Sequence, residues 1–398
     1  MAITLAERMS KFSGSPTSAL IAKVAELKQQ GKDIISLNVG EPDFGTPDYI
    51  KVAGMKAIAD NFTKYTPGNG ILDLRKEIVK KLKEDNGIEY GLNEVTTAVG
   101  AKQAIASTMM VISGPGDEVI LPIPCWVSYT EMIRLAGATP VFVPVRPDNY
   151  ELDLDAIEKA ITPRTKAIII CTPNNPTGAV YNEESLRRLA DLAVKHDFFI
   201  VADEIYEKLI YDGAKHFSVA SISPEVKERT VTVNGFSKAY AMTGWRIGYA
   251  ASRPDVIKGI MAVQSQTTSA TSAISQKAAV EALRGPQHDL HVMVEEFRRR
   301  KNYVVSRLNA MPGITCPDVK GAFYVFPDVQ PYLGKSFGSR KIGTAVELCQ
   351  YMLDEFLIST VPGEAYNVPG KIRISYSNSM ENLEKALDRM EEALKQLS

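Results

Sequence analysis

At 398 residues the chain is too long for one ordinary hydrophobic core and long enough for about two. Its hydrophobic and charged fractions, 45% and 23%, are those of a globular protein. With 46 basic against 47 acidic residues, the net charge of −1 gives no global reason to bind nucleic acid or an anionic membrane.

The opening residues Met1 to Arg8 lack a basic segment followed by a long apolar stretch, so no secretory signal is expected. No run approaches the roughly 20 apolar residues that span a bilayer, and a cytoplasmic protein is the expectation. A helical pattern over 16–30 leads into an extended 34–39. Short β-branched runs at 118–121, 140–145, 167–171, 198–202, 230–233 and 247–250 predict strands. Several are apolar throughout, as suits strands covered on both faces. Helical patterns at 101–112, 128–136, 183–196 and 254–266 alternate with them. This order predicts an α/β fold with a mostly parallel sheet flanked by helices and right-handed crossovers. Beyond Ala279 come a charged helix over 292–308, a strand near 322–327 and a last helix from about 381. The composition thus predicts a large domain over 47–285 and a smaller α+β domain built discontinuously from 1–46 and 286–398. Cys125, Cys171, Cys316 and Cys349 form no CxxC pair and read as free thiols. His288 and His291 have no cluster at metal spacing and read as surface residues, so no metal is expected.

Six places carry chemistry. Gly100-Ala101-Lys102 opens a helix directly after a strand, and its free N–H groups suit an anion such as a phosphate. Trp126 offers an aromatic face, worth about 0.5–1.5 kcal/mol beyond burial if it stacks on a ring. Asn175, in the turn Cys171–Gly178, offers a donor. Asp203 ends an apolar strand, where a carboxylate can keep a pyridine nitrogen protonated, and Tyr206 follows close enough to share that site. Ser237, Lys238 and Arg246 follow the strand at 230–233; a lysine desolvated near a cation loses its proton readily and can form an imine with an aldehyde cofactor. Arg373 alternates with apolar neighbours and so points inward, where it suits a carboxylate. Each has a plainer alternative: a solvated lysine, a capping aspartate, a simple turn, a core tryptophan or a structural ion pair.

In this order the motifs resemble a known family. Val39-Gly-Glu-Pro-Asp-Phe44, Lys64-Tyr-Thr-Pro-Gly68, Asn175-Pro-Thr-Gly178, Asp203-Glu-Ile-Tyr206, Ser237-Lys238 and Arg373 resemble the fold-type I aminotransferases of the aspartate aminotransferase superfamily. The similarity is to the bacterial and archaeal class I branch, with its aspartate, aromatic and prephenate aminotransferases. That resemblance implies pyridoxal 5'-phosphate as cofactor, borne by Lys238, which also moves the substrate proton. It implies that Asp203 pairs with the pyridine nitrogen, that Tyr206 and Asn175 contact the ring oxygen, and that Trp126 stacks on the ring. Ala101, Lys102, Arg246 and Ser237 are implied at the phosphate. Tyr65 is implied at the phosphate of the neighbouring subunit, hence a homodimer with shared sites. Gly40 and Arg373 are implied at the substrate α-carboxylate, with Trp126 and Asn175 beside it. Lys102 is implied at a distal carboxylate, with Ser15 and Thr17 near that pocket. The expected reaction moves an amino group from an L-amino acid, foremost L-aspartate, to 2-oxoglutarate by a ping-pong mechanism. Aromatic amino acids or prephenate are the alternative substrates. A C–S lyase and a non-catalytic cofactor-binding regulator are the rival activities.

Overall fold

The computed structural model describes residues 5–10 and 16–398, without the side chains of 7, 8, 16–19 and 21. Ser15 and the side chain of Thr17 therefore lie outside the described residues. In chain order the strands are β1 (Ile35–Ser36), β2 (Val95–Ala98), β3 (Glu118–Ile123), β4 (Thr139–Pro144), β5 (Thr165–Cys171), β6 (Phe199–Asp203), β7 (Thr230–Gly235) and β8 (Gly248–Ala251). There follow β9 (Tyr324–Val325), β10 (Ser336–Phe337), β11 (Arg340–Lys341), β12 (Ile358–Ser359), β13 (Val361–Pro362) and β14 (Ile372–Ser375).

One seven-stranded sheet, in the order β2-β8-β7-β6-β5-β3-β4, forms the centre. β8 runs antiparallel to both of its neighbours, and the pairs from β7 to β4 are parallel. β2 therefore points the same way as β7, and β8 alone is reversed. Helices cover both faces, which is why the strands are apolar on both sides. Along β5, Ile168 and Ile170 pack with Leu186, Leu189 and Ala193, whereas Ala167 and Ile169 join the other layer with Ile105 and Met109. β4 is an edge strand and is largely exposed. The helix Glu183–His196 shows why the local sequence folds as it does. The Asn182 side chain caps it by accepting from the Ser185 N–H at 2.8 Å. Glu183 and Glu184 sit in its first turn, Lys195 and His196 in its last, and its apolar residues recur along one face.

The chain ends meet. β1 pairs in parallel with β12, and β14 lies between β13 and β9 in an antiparallel sheet. Two expected strands are shorter than the sequence implies. The run at 34–39 is a strand only at Ile35–Ser36, after which Leu37 bonds both Ser359 and Ser375 and the chain turns off at Gly40. The run at 322–327 is a strand only at Tyr324–Val325. The helices Asp48–Ala59, Leu72–Asn86, Ala273–Arg284 and Ala345–Phe356 are elements that the sequence patterns do not predict, whereas β2 is the strand expected just before Gly100. All four cysteines are buried free thiols, and His288 and His291 are exposed. Among the described residues no helix is long and apolar enough to cross a membrane.

A buried polar cluster ties the helix Leu72–Asn86 to the segment after β6. Lys81 forms an ion pair with Glu207, and the Asn86 amide donates to Glu207 and Ser218 at 2.7 Å each. His216 lies 3.2 Å from Glu204. Glu204, Glu207 and His216 bring their ligand atoms within 4.8 Å, yet Lys81 and Asn86 already meet their charge. Burial pushes the Glu207 carboxyl up, but the charges of Lys81 and His216 outweigh it and bring it from 4.5 down to about 2. A depressed carboxyl contributes stability that is complete above its unfolded value and is lost as pH falls through the folded one. Lys81→Met is therefore expected to cost about 3–5 kcal/mol near neutrality, because it strands a buried charge. In urea titrations its deficit against the parent protein should shrink between pH 4.5 and about 2. A constant deficit across that window would contradict the assignment.

Candidate active site

With β8 alone reversed, the carboxyl ends of six strands share one edge with the start of β8, and a cleft outside such an edge is where open α/β sheets bind ligands. β6 ends on Asp203, in register with Cys171 at the end of β5. β7 ends at Gly235, so Ser237 and Lys238 emerge beside them. β2 leads into the helix Gly100–Ile112, β3 into Trp126, and Arg246 lies two residues before β8. Topology thus collects residues spread over more than a hundred positions. A cavity of about 350 Å³ opens there, lined by Gly40, Ala101, Lys102, Trp126, Asn175, Asp203, Tyr206, Ser237, Lys238, Arg246 and Arg373. Tyr65 does not line it; the residue is 96% exposed.

Lys238 donates to the Gly40 carbonyl. Burial brings its amino group from 10.5 down to about 8, the negative charge of Glu41 acting in the opposite direction. A measurable fraction is then the free amine near neutral pH, the form that attacks a carbonyl. Asp203 is 3% exposed. Burial raises its carboxyl to about 6, although Tyr129 donates to it at 2.6 Å and the Ile205 N–H at 3.2 Å. The Tyr206 hydroxyl lies 3.0 Å from that of Tyr324.

Arg373, on β14, is 3% exposed. One Nη donates to Asn175 Oδ1 at 3.1 Å and the other to the Asn38 carbonyl at 2.7 Å. Its guanidinium lies 4.5 Å from the Tyr324 ring and 5.5 Å from that of Tyr366. Its Nε has no partner, and no carboxylate pairs with it among the described residues. A buried cation held without a counter-charge is costly, and a structural ion pair is thereby ruled out for it.

At the helix start, Gly100 adopts φ +78°, and a Cβ there would come within 2.6 Å of Arg246 Nη2. Glycine thus lets the guanidinium reach the helix N-terminus, where unpaired N–H groups and a cation combine. Lys102 sits at the rim, 4.9 Å from the centre of the Trp126 ring. Partial burial, helped by the charge of Arg246, lowers its ammonium below the ordinary value. Sequence reasoning missed Tyr129, Tyr324, Glu41 and Cys171, which also line the cavity. Tyr129 was within reach, since it stands three residues after Trp126, whose carbonyl accepts from its N–H at 3.0 Å.

This is the architecture of the fold-type I pyridoxal-phosphate transferases. The chain belongs to the family described as aminotransferase class I and II, which matches residues 32–390. It is 43% identical to the aspartate aminotransferase of Geobacillus stearothermophilus over 97% of this chain and 98% of that one. It is 42% identical to the probable aspartate/prephenate aminotransferase of Aquifex aeolicus over 99% of each. The crystal structure of Thermus thermophilus aspartate aminotransferase with maleate superposes with a TM-score of 0.93. There the identity is 41%, covering 98% of this chain and all of that one. The protein is a transaminase that uses pyridoxal 5'-phosphate and acts on amino and oxo acids.

Proposed function

We propose that the protein transfers the amino group of L-aspartate to 2-oxoglutarate by a ping-pong mechanism. The observation that carries this is Arg373, a buried guanidinium without a carboxylate partner, in the same cavity as a desolvated lysine and a buried aspartate. Lys102 adds a second cation, as a dicarboxylic substrate requires. The residues fit the cofactor. The helix start at Gly100–Ala101, with Arg246 and Ser237, would take its phosphate dianion. Asp203 would meet the ring nitrogen, Tyr206 and Asn175 the ring oxygen, Trp126 the ring face, and Lys238 would bear the cofactor. Bound there, pyridoxal phosphate supplies an aldehyde that exchanges nitrogen and a ring that withdraws electrons.

The chain's own groups then divide the work. Arg373 binds the α-carboxylate in a bidentate fork beside Gly40, and Asn175 and Asn38 hold that fork in place. The Lys238 amine takes the proton from the substrate Cα and returns one on the far side of the transfer. Tyr65 is almost fully exposed, and the helix Asp48–Ala59 leaves Val52, Met55 and Ile58 exposed as well; both fit contact with a partner subunit, which supports a homodimer. The pairing of β1 with β12 supports the division into 47–285 and a small domain from 1–46 and 286–398. We place the protein in the cytoplasm, in keeping with its four free thiols.

Prephenate or an aromatic amino acid is the second substrate reading, favoured by the Aquifex relative's name. The test offers L-aspartate, L-tyrosine or L-cysteine, each with and without 2-oxoglutarate, and measures the new amino and oxo acids. Aspartate-dependent glutamate supports the proposal; pyruvate from cysteine without glutamate would move the protein to the lyases. Lys102→Ala is expected to lower kcat/KM for aspartate about tenfold, the loss of one partly exposed charged contact, and to leave tyrosine nearly unchanged. Equal losses for both donors would remove Lys102 from the distal carboxylate.

A further inference from the structure

We propose that Tyr129 is a positioning residue for the cofactor, its hydroxyl holding the Asp203 carboxylate ionised and oriented for the pyridine nitrogen. The proposal rests on the reading that Asp203 meets that nitrogen. Tyr129 is 1% exposed, and its hydroxyl lies 2.6 Å from Asp203 Oδ2. That length falls in the range of an O–H donor bound to a carboxylate anion. The Ile205 N–H takes Oδ1 at 3.2 Å. An ionised carboxylate has about four lone-pair sites. With two of them occupied, the group keeps its orientation and still has room for a ring N–H.

Placement gives the tyrosine a second connection. It stands three residues after Trp126, and the two rings meet edge to face at 5.3 Å and 89°. One short stretch of chain thus ties the aromatic wall of the cleft to the carboxylate. The groups facing Asp203 explain why a donor is needed there. Burial and Glu204 disfavour its charge; Tyr129, the Ile205 N–H and Lys238 favour it, in that order. Cys171, next to Tyr129, is a neutral buried thiol whose ionisation burial opposes. Tyr129 is the largest of these supports, and it remains when the Lys238 amine is taken up by the cofactor.

The test is a double-mutant cycle on the holoenzyme with Tyr129→Phe, Asp203→Ala and the pair. Cofactor affinity is measured by equilibrium dialysis from pH 5 to 8, alongside kcat and donor KM. Phenylalanine keeps the ring and its contact with Trp126, and thermal unfolding of each variant checks that the fold survives. Tyr129→Phe is expected to weaken cofactor binding about tenfold at pH 7, the loss of one charge-assisted bond. The pH at which binding fails should move upward, since the carboxylate has lost its donor. kcat should fall with donor KM unchanged, and Tyr129→Phe should change nothing further once Asp203 is alanine. Parent-like affinity and pH midpoint in Tyr129→Phe would overturn the proposal. So would an equal loss in the Asp203→Ala background, which marks a merely structural role. If Asp203→Ala itself keeps parental affinity and turnover, the placement of Asp203 falls, and the proposal with it.

Discussion

Lys238→Ala is expected to abolish amino transfer, lowering turnover by about 10²–10⁴ for the lost acid–base step alone. The basis is that the cavity offers no substitute. Among its lining residues the other amine is Lys102, at the rim beside Trp126, and the tyrosine hydroxyls there are held protonated. Burial raises the hydroxyl of Tyr206 well above its ordinary value, and that of Tyr324 is raised too, so neither takes a proton near neutral pH. The check has two parts. Steady-state transfer from aspartate gives the rate. Borohydride treatment followed by intact mass shows whether the cofactor is fixed to the chain, expected for the parent and absent in the variant. A parental mass shift in Lys238→Ala would place the linkage on another lysine.

Arg373→Lys is expected to cost about a hundredfold in kcat/KM, and Arg373→Ala about a thousandfold, corresponding to the 2–5 kcal/mol of a truncated buried charge pair. Lysine keeps the charge but not the planar fork, so its deficit isolates the value of bidentate geometry. On the proposed role of Arg373 the loss should fall mainly on KM, and equally on amino donor and oxo acceptor, since both would present a carboxylate to the same guanidinium. Cofactor affinity should not change. A lost cofactor with an intact KM would put Arg373 at the cofactor instead.

Much of the fold was legible because the strands of the large sheet are short, β-branched and buried on both faces. The helix Glu183–His196 was legible to the residue, since its cap, its charge distribution and its apolar spacing agree. The helix Leu72–Asn86 escaped notice because its long polar surface masks a thin apolar stripe of Leu74, Ile78 and Leu82. In Ala273–Arg284 small residues make the buried face, leaving little periodic contrast. At the site, each strand-end residue announces itself by a local motif. Tyr324 and Tyr129 do not, because what matters is the atom they touch: Tyr206 lies 118 positions from Tyr324 and Asp203 74 from Tyr129. Gly40 could be placed at the cavity only through resemblance, since its closeness to Tyr324 is a tertiary fact.

The contact between Arg373 and the Asn38 carbonyl joins positions 335 apart, beside the pairing of β1 with β12. A carboxylate gripped by Arg373 and the Gly40 backbone would therefore act as a clasp between the two ends of the polypeptide. Ligand occupancy and the integrity of the termini become linked quantities: whatever fills the site also resists fraying, by an amount set by its concentration over its dissociation constant. A ligand at a hundred times that constant would add about 2.7 kcal/mol to the folded state. Conversely, tags or truncations that disturb Ile35–Ser36 would be felt first as weakened substrate capture, far from any residue that touches the substrate.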